Sequence, residues 1–394
     1  MVRRGHQVTV LTGYPNYPDG QIFPAFSKNP SVFSKYAGSE VIRVPMTLRG
    51  QNGFKLVLNY VTFALSASIF GLWKLRRRKF DGIFVFEPSP ITVGLPGALL
   101  RLVKQAPMVL WVLDLWPETL EAVGVVRSKV LLRSIGRLVR LIYGQCDLIL
   151  AQSKSFIPQI RKYGPNRAWI EYFPSWSESN FDLNNAGPAQ EVAAAPHLFS
   201  VMFAGNIGDA QDFPAILSAA EKLKQYSSIR WLIVGDGRKS NWVAEQIKVR
   251  GLQSCVFLLG RFPLERMPSF FMHADALLVS LKNEPVFSMT IPGKIQSYLA
   301  AGIPIAAMLN GEGAHVVSAA KAGISCPAGD HDGLARIVLG LSRMSKVELE
   351  QMGRNGVEFS ANEFSREKLI GRLESWFSDL AKLQLKTVGN VKGP

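Results

Sequence analysis

Residues 280–305 have the sequence SLKNEPVFSMTIPGKIQSYLAAGIPI, and this stretch decides the fold of the second half of the chain. The strand pattern Ala274–Leu281 ends in it, a loop with Thr290 and Pro292 follows, and a helix pattern then leads into another apolar run. This order predicts a strand–helix–strand unit of a parallel sheet. Lys294 lies where the helix begins. A helix N-terminus with unpaired amide groups and a lysine is suited to bind an anion.

Apolar runs of the same kind recur along the whole chain, with helical patterns between them. They suit strands that are buried on both faces of a parallel sheet, so the sequence predicts an α/β fold. The runs of the first half are Gln7–Thr12, Glu40–Pro45, Asp81–Phe86, Met108–Leu113 and Asp147–Gln152, and those of the second half are Leu198–Ala204, Arg230–Gly235, Cys255–Leu259, Ala274–Leu281 and Ile303–Met308.

A change of composition divides the chain into two domains. Residues 176–196 are rich in Ser, Asn, Ala and Pro, which is typical of a linker. We predict two Rossmann-like, doubly wound domains over residues 1–175 and 197–362, and a helical segment over 363–394 that packs back on the N-terminal domain. Ligands of such sheets bind outside the carboxyl ends of the strands. The functional residues are therefore expected in loops that follow strands and face a cleft between the domains.

The first strand pattern begins almost at the start of the chain. The run RGHQVTVLT resembles the end of a helix that leads into a strand. A doubly wound domain has an earlier strand and a Gly-rich turn before such a helix. We therefore expect a further βα unit of about 20–25 residues ahead of Met1. No apolar signal region follows Met1, which favours a cytoplasmic protein.

The formal net charge of +15 narrows the choice of partners. A chain this basic suits nucleic acid, an anionic membrane surface or a phosphorylated small molecule. Zinc-finger spacing, an RNP-type segment and a basic-helix heptad are all missing from the sequence, which argues against nucleic acid. Cys146, Cys255 and Cys326 form no CxxC pair, so the sequence predicts neither a disulfide framework nor a cysteine metal site.

Glycines, cations and a carboxylate follow the strand patterns of the second half. Glycine allows backbone amides to approach a ligand closely, and arginine and lysine suit phosphate oxygens. Tight turns and solvated basic turns are the alternatives, and for Lys239 the solvated turn is favoured. A carboxylate that opens a helix can cap its amides or accept hydrogen bonds from ligand hydroxyls. The candidate ligand-binding residues are Gly205, Asn206, Gly208, Gly235, Arg238, Arg261, Gly311 and Glu312.

Polar side chains also end the strand patterns of the first half. Asp114 interrupts an apolar run, which is costly unless the carboxylate is paired or used. Glu87 lies beside two prolines, and this predicts a rigid, exposed loop. Both carboxylates are catalytic candidates, and a structural acceptor of loop amides is the alternative for Asp114. The aromatic and polar residues of neighbouring loops are further binding candidates, namely Tyr14, Asn16, Tyr17 and Trp116.

Residues 57–73 carry no charge and are followed by the basic run Lys74–Lys79. A spanning helix needs about 20 apolar residues, and this stretch is shorter and contains Asn, Thr and Ser. It is more typical of a helix that lies in the membrane interface with a cationic flank on anionic lipid. The alternative is a core-facing helix that ends in a solvated charge run. The cations that extend this surface are Arg127, Lys129, Arg133, Arg137 and Arg140.

Several of these motifs together resemble one family. The strings RGHQVTVLTGYPNYPDG, WVLDLWPETL, FAGNIGDAQ, LVSLKNEPVFSMTIPGKIQSYLAAGIPI and NGEGAHVV are similar to those of bacterial GT-B glycosyltransferases of the glycosyl transferases group 1 type. The sequence most resembles the fucosamine-transferase-like enzymes of O-antigen and capsule assembly. The resemblance covers nearly the entire chain in the order of the family.

The resemblance implies a retaining hexosyltransferase of lipopolysaccharide assembly. A sugar, in this case an N-acetylated amino sugar, would pass from a UDP-sugar on the C-terminal domain to a polyprenyl-diphosphate-linked acceptor on the N-terminal domain. A metal or other cofactor is not expected, because cations and a helix N-terminus stabilise the leaving diphosphate. The second-half candidates, with Thr290, Pro292 and Lys294, would bind the donor. Asp114 and Glu87 would orient the attacking hydroxyl, and Tyr14, Asn16, Tyr17 and Trp116 would contact the acceptor at the inner face of the plasma membrane.

The chain departs from the family pattern in one motif. Many relatives carry two glutamates eight positions apart, and the corresponding positions here are Met289 and Ser297. The ribose contact of the second glutamate is therefore in question. Two alternatives stay open. One is a UDP-sugar 2-epimerase of the same fold, which would need no lipid surface. The other is a non-catalytic, membrane-associated protein derived from a transferase.

Overall fold

The computed structural model describes residues 1–17, 20–50, 53–122, 124, 126–166, 168–177 and 186–390, with side chains as far as 384 in the last helix. The chain forms two compact units. The first contains residues 1–152, 156–173 and 370–394, and the second contains 153–155 and 174–369. Within the predicted linker 176–196, residues 178–185 lie outside the described residues. Residues 186–196 belong to the second unit, where Ala189 and Val192 are buried.

The strands of the first unit form two sheets. The first three strands pair in the order β1–β3–β2, and the next four form a parallel sheet in the order β4–β5–β6–β7. The predicted runs form strands that differ by one or two residues at their ends, whereas β2 and β7 were too short to give a pattern. The bounds are β1 Thr9–Gly13, β2 Lys35–Tyr36, β3 Ser39–Val44, β4 Ile83–Glu87, β5 Met108–Val112, β6 Leu148–Ala151 and β7 Ile170–Tyr172.

Helices of the first unit connect its parallel strands. Small residues let the longest of them, α2, pack closely on β1, since a Cβ on Gly71 would lie 2.7 Å from the Leu11 side chain. Ser128 caps α5 by accepting a hydrogen bond from the amide of Leu131. The bounds are α1 Pro24–Lys28, α2 Gly53–Leu75, α3 Gly94–Lys104, α4 Glu118–Ala122, α5 Lys129–Tyr143 and α6 Phe156–Tyr163.

The second unit has one parallel sheet of six strands in the order β10–β9–β8–β11–β12–β13. The strand order reverses between β8 and β11, and this reversal is the point at which doubly wound sheets bind ligands. Strand β13 was not predicted, because its sequence GISC lacks an apolar run. The bounds are β8 Phe199–Ala204, β9 Ile229–Val234, β10 Val256–Gly260, β11 Ala276–Ser280, β12 Ile305–Met308 and β13 Gly323–Cys326.

Helices cover both faces of this sheet and continue into the C-terminal segment. The side chains of Phe203 and Phe213 pack edge to face at 5.0 Å between ring centroids inside the core. The last helix, α15, contributes residues 370 onward to the first unit, where Trp376 packs on Phe173. The bounds are α7 Phe213–Lys222, α8 Ser240–Val249, α9 Met267–Phe271, α10 Pro285–Met289, α11 Gly293–Ala301, α12 Glu312–Ala319, α13 His331–Leu341, α14 Lys346–Glu363 and α15 Arg366–Asn390.

A Gly235→Ala substitution is expected to lower the free energy of unfolding of the second unit by about 2 kcal/mol. Gly235 has a φ of +142°, and a Cβ there would lie 1.8 Å from the carbonyl oxygen of Gly205. The control is Gly340→Ala in α13, where a Cβ would meet nothing within 4 Å. Denaturant unfolding of both variants tests this. Equal stability of the two would contradict the close approach of the two loops.

Candidate functional site

The loops that follow β8, β9 and β10 are joined to one another by backbone hydrogen bonds. The Gly205 amide donates to Val234 at 2.9 Å, the Ile207 amide to Asp236 at 2.9 Å, and the Gly235 amide to Gly260 at 2.7 Å. The predicted residues Gly205, Asn206, Gly208 and Gly235 therefore lie on one continuous surface at the carboxyl edge of the sheet. Gly205, like Gly235, has a positive φ that favours glycine.

Lys294 lies at the start of α11, directly beside this surface. The Tyr298 hydroxyl holds α11 on β8 by accepting a hydrogen bond from the Ala204 amide at 3.1 Å. A Cβ on Gly205 would lie 2.7 Å from Cε of Lys294, so the lysine stem crosses that glycine. The Lys294 Nζ is 5.0 Å from the centroid of the Phe203 ring. Pro292 is the N-cap residue of α11 and fixes where the helix begins.

Within the described ranges, Lys294 forms no ion pair with a carboxylate. Burial lowers the pKa of Lys294 to about 8. A group with this environment gains from an incoming anion, which would restore the charged form. Lys294, the amides of α11 and the glycine loops therefore form a candidate anion site at the β8–β11 reversal.

The two predicted arginines follow the neighbouring strands β9 and β10. The side chains of Arg238 and Arg261 are exposed. Arg261 lies close enough to Asp236 for its charge to help lower the pKa of that carboxyl, after the hydrogen bonds from Ser240 and the Gly237 amide. Lys239 instead pairs with Asp209 at 3.1 Å. Arg238, Arg261 and Lys294 thus follow strands of one sheet edge.

Thr290, Gly311 and Glu312 lie on the other side of the reversal. The Thr290 hydroxyl donates to the Val286 carbonyl at 2.9 Å. Gly311 has a φ of +69°, and a Cβ there would lie 1.9 Å from the Ser288 carbonyl oxygen. One oxygen of Glu312 accepts hydrogen bonds from the amide and the hydroxyl of Ser155, at 2.7 and 2.8 Å, within the second unit.

Ser297, at the position of the family glutamate, lies on α11 after Lys294. Its hydroxyl donates to the carbonyl of Gly293 at 3.3 Å, which is a bond within its own helix. Among the described residues, the chain contains no group of three or more His, Cys, Asp or Glu side chains that could hold a metal ion.

In the first unit, Asp114 follows β5 and is held by two neighbours. Its Oδ1 accepts a hydrogen bond from the Thr119 hydroxyl at 2.5 Å, and its Oδ2 accepts one from Trp116 Nε1 at 3.2 Å. Burial raises the pKa of Asp114, and these hydrogen bonds oppose that shift. Trp116 is itself buried. In this conformation it holds the Asp114 carboxylate.

Glu87 is the last residue of β4, and its side chain is fully buried. The expectation of an exposed loop is wrong for this residue, because β4 pairs with β5 as far as Glu87 and Val112 and the loop begins only afterwards. Neither carboxylate oxygen has a hydrogen-bond partner of normal geometry among the described residues. Burial, and after it the charge of Asp114, raise the pKa of Glu87 well above its usual range. Burial therefore favours the neutral, protonated form of Glu87 beside Asp114.

The loop that follows β1 contains the three other predicted residues. Asn16 is buried, donates to the Tyr14 carbonyl at 2.7 Å and accepts from the Arg49 amide at 3.0 Å, so it shapes the loop from within. The Tyr14 ring packs on Phe26. Tyr17 is exposed, and the Arg49 guanidinium lies 5.2 Å from its ring centroid.

Tyr60 and Ser89, which the sequence did not single out, lie near Asp114, and Arg49 lies beside Tyr60. Burial raises the pKa of Tyr60. The charge of Arg49 and a hydrogen bond with it lower this pKa, the charge of Asp114 raises it, and a hydrogen bond with Ser89 lowers it. Ser89 has a φ of +128°, an unusual backbone conformation for a residue other than glycine. Arg49 forms no ion pair with a described carboxylate. Ser89 could have been found from the sequence, because it lies in a loop that follows a strand pattern. Tyr60 could not, because it lies inside the uncharged stretch 57–73.

Two Rossmann-like units with these strand-end sites define the class of protein as a GT-B glycosyltransferase. Two family models match the chain, the glycosyl transferase 4-like domain over residues 1–176 and glycosyl transferases group 1 over residues 199–343. The chain therefore belongs to the group 1 glycosyltransferases. The predictions of the family, of the fold and of an enzyme are confirmed.

Two curated relatives and one solved structure are similar to the chain. The putative colanic acid biosynthesis glycosyl transferase WcaI of Escherichia coli K12 is 25% identical over 320 residues, 77% of this chain and 75% of the relative. The 2-deoxystreptamine N-acetyl-D-glucosaminyltransferase of Niallia circulans is 26% identical over 137 residues, 34% of each chain. HepE of Anabaena, solved with UDP and glucose, is 13% identical with a TM-score of 0.67, covering 95% of this chain and 100% of that one.

Proposed function

We propose that the protein transfers an N-acetylated amino sugar, with retention, from a UDP-sugar to a polyprenyl-diphosphate-linked acceptor. The product would enter a cell-surface polysaccharide such as O-antigen or capsule. The names of the relatives support this direction, since one belongs to colanic acid biosynthesis and another transfers N-acetylglucosamine. The observation that carries the proposal is Lys294, a partly buried cation without a carboxylate partner among the described residues, at the reversal of strand order.

The second unit would bind the donor. Gly205, Asn206, Gly208 and Gly235 would present amides and close backbone to the nucleotide diphosphate, as glycine-rich strand ends do in such sheets. Lys294, Arg238 and Arg261 would neutralise the phosphates, and Glu312 would accept hydrogen bonds from sugar hydroxyls through its second oxygen. These positive groups would also stabilise the charge that develops on the departing diphosphate.

The first unit would hold the acceptor. Asp114 would orient the attacking hydroxyl, and Glu87 would act as a positioning residue whose neutral form leaves the charge on Asp114. Arg49 would take the acceptor diphosphate, since a guanidinium without a carboxylate partner suits phosphate oxygens. Tyr17 and Tyr60 would flank it.

Transfer would break one bond at the anomeric carbon and form another, and a proton would move from the acceptor hydroxyl to the departing diphosphate. The bond between the anomeric carbon and the diphosphate oxygen breaks, and a bond to the acceptor oxygen forms on the same face of the sugar. The hydroxyl proton leaves with the departing UDP. Asp114 contributes by fixing the direction of the hydroxyl.

The direct test is an assay of purified protein with UDP-N-acetylhexosamines and a polyprenyl-diphosphate-linked monosaccharide. The expected product is a lipid-linked disaccharide whose new linkage keeps the anomeric configuration of the donor, as read by NMR. A free 2-epimer of the donor sugar would indicate the epimerase, and an inverted linkage would contradict the retaining mechanism. UDP binding without any turnover would indicate a non-catalytic protein.

A further inference from the structure

We propose that the outer face of α2, with the cations at its end and on α5, lies flat on an anionic lipid bilayer at the inner face of the plasma membrane. This inference goes beyond the transfer reaction, because binding to lipid requires neither donor nor acceptor. It depends on one apolar surface and one charge pattern, both in the first unit.

The apolar surface is a stripe of large side chains along α2. Its members recur every three or four residues, so they share one side of the helix. Their exposed fractions lie between 43% and 76%. We call this set the α2 stripe, and it consists of Phe54, Val57, Val61, Leu65, Ile69 and Trp73. An exposed, contiguous apolar surface of this length marks a site of interaction.

The opposite side of α2 is packed against the first unit. Ala64, Ala67, Gly71 and Leu75 are buried there, and Leu75 shares a core cluster with residues of β3 and α3. Within the described ranges, α2 is the single helix that is long and apolar enough to cross a membrane by length and composition. Of its most apolar stretch of 18 residues, 28% is buried. A helix that is attached along one side presents only its other side to lipid. We therefore infer surface contact, not a span.

The charges of the segments that contain α2 and α5 indicate the kind of surface. The segment between Glu40 and Asp81 contains no acidic residue, and neither does the segment between Glu121 and Asp147. The first segment ends in the basic run Lys74–Lys79, and the second contains α5. On α5 exposed cations alternate with exposed apolar side chains, and these residues are Val130, Leu131, Arg133, Arg137, Arg140 and Leu141.

An apolar stripe that ends in a run of cations matches the boundary between acyl chains and anionic head groups. A second copy of the chain on the same face would bring two cationic surfaces together, and like charges oppose such an interface. The bilayer is therefore the occupant that the charge pattern favours. In this position the protein would also meet a lipid-linked acceptor.

The test is flotation of the full chain with vesicles in the absence of donor and acceptor. Wild type is expected to float with vesicles of phosphatidylcholine and phosphatidylglycerol in equal parts, and far less with phosphatidylcholine alone. The stripe variant Leu65→Glu with Ile69→Glu should lose binding by at least about tenfold. The charge variant Arg77→Ser with Lys79→Ser should lose part of its dependence on anionic lipid.

The matched control is Val249→Glu with Val347→Glu, which changes two valines of the second unit that are 72% and 68% exposed. This control should float as wild type does. Thermal unfolding and gel filtration show whether each variant folds and whether it changes its oligomeric state. Wild type that stays unbound with anionic vesicles, or a folded stripe variant that binds as well as wild type, overturns the proposal. A wild-type dimer that the stripe variant converts to a monomer, without vesicle binding, would assign the stripe to a second copy.

Discussion

Replacing Asp114 with Asn is expected to lower kcat for sugar transfer about a hundredfold, the loss that follows when a reacting group is no longer held in the productive orientation. The substitution keeps the size of the side chain and an oxygen that can accept from Thr119 or Trp116. It removes the negative charge that would orient the acceptor hydroxyl. Because Asp114 lies in the first unit, the affinity for UDP should stay within about twofold of wild type. Steady-state kinetics and UDP titration measure the two quantities.

The control for this variant is Asp81→Asn, an exposed carboxylate of the first unit just before β4. It should leave kcat unchanged. A folded Asp114→Asn variant with wild-type kcat would remove Asp114 from the reaction. An equal loss of UDP affinity and of kcat would show that the effect reaches the second unit and is not confined to the acceptor side.

Replacing Lys294 with Met is expected to weaken UDP binding about a hundredfold, because a hydrogen bond between a partly buried ammonium group and a phosphate is lost. Met keeps the apolar stem over Gly205 and Phe203. The free energy of unfolding should not fall, since the folded state no longer holds a partly desolvated ammonium group. Isothermal titration and denaturant unfolding of the same variant test both statements. A variant that loses stability together with UDP affinity would indicate a structural role.

The pH dependence of binding gives the control for Lys294. The pKa of Lys294 without a ligand is about 8. Wild type should therefore bind UDP more weakly as the pH rises through that value, and binding of UDP should take up protons. The free energy of unfolding also depends on Lys294, because its pKa is lower in the folded chain than in the unfolded chain. The unfavourable contribution of the desolvated charge is therefore complete below about pH 8 and diminishes between pH 8 and the ordinary lysine value of 10.5. Lys294→Met should remove both dependences. Lys239→Met, which loses only a surface pair with Asp209, should keep them.

The sequence predicted the elements that repeat a simple physical pattern. Runs such as MVLWV and LILA are apolar on both faces, and the structure buries every residue of β5 and β6. Strands β2, β7 and β13 escaped prediction, because two to four residues without such a run carry too little signal. The position of the candidate anion site at Lys294 was predictable, since a strand, a loop and a helix start follow one another within a single segment.

The first-unit site was predicted less completely. Asp114 was visible as a charge in an apolar run, but Tyr60 approaches it from a separate segment, and only the packing of α2 brings it there. The burial of Glu87 depends on how far β4 pairs with β5, which the two prolines after it do not indicate. The interpretation of Trp116 as an acceptor contact could not foresee that its indole would hold Asp114.

Hydrogen–deuterium exchange with and without UDP tests most directly whether the strand ends of the second unit hold the nucleotide. We expect slower exchange of backbone amides in Gly205–Gly208, Gly235–Lys239 and Thr290–Lys294 once UDP is bound, with the first unit unchanged. Bound UDP that leaves these three segments unprotected, or a chain that does not bind UDP at all, would contradict the account.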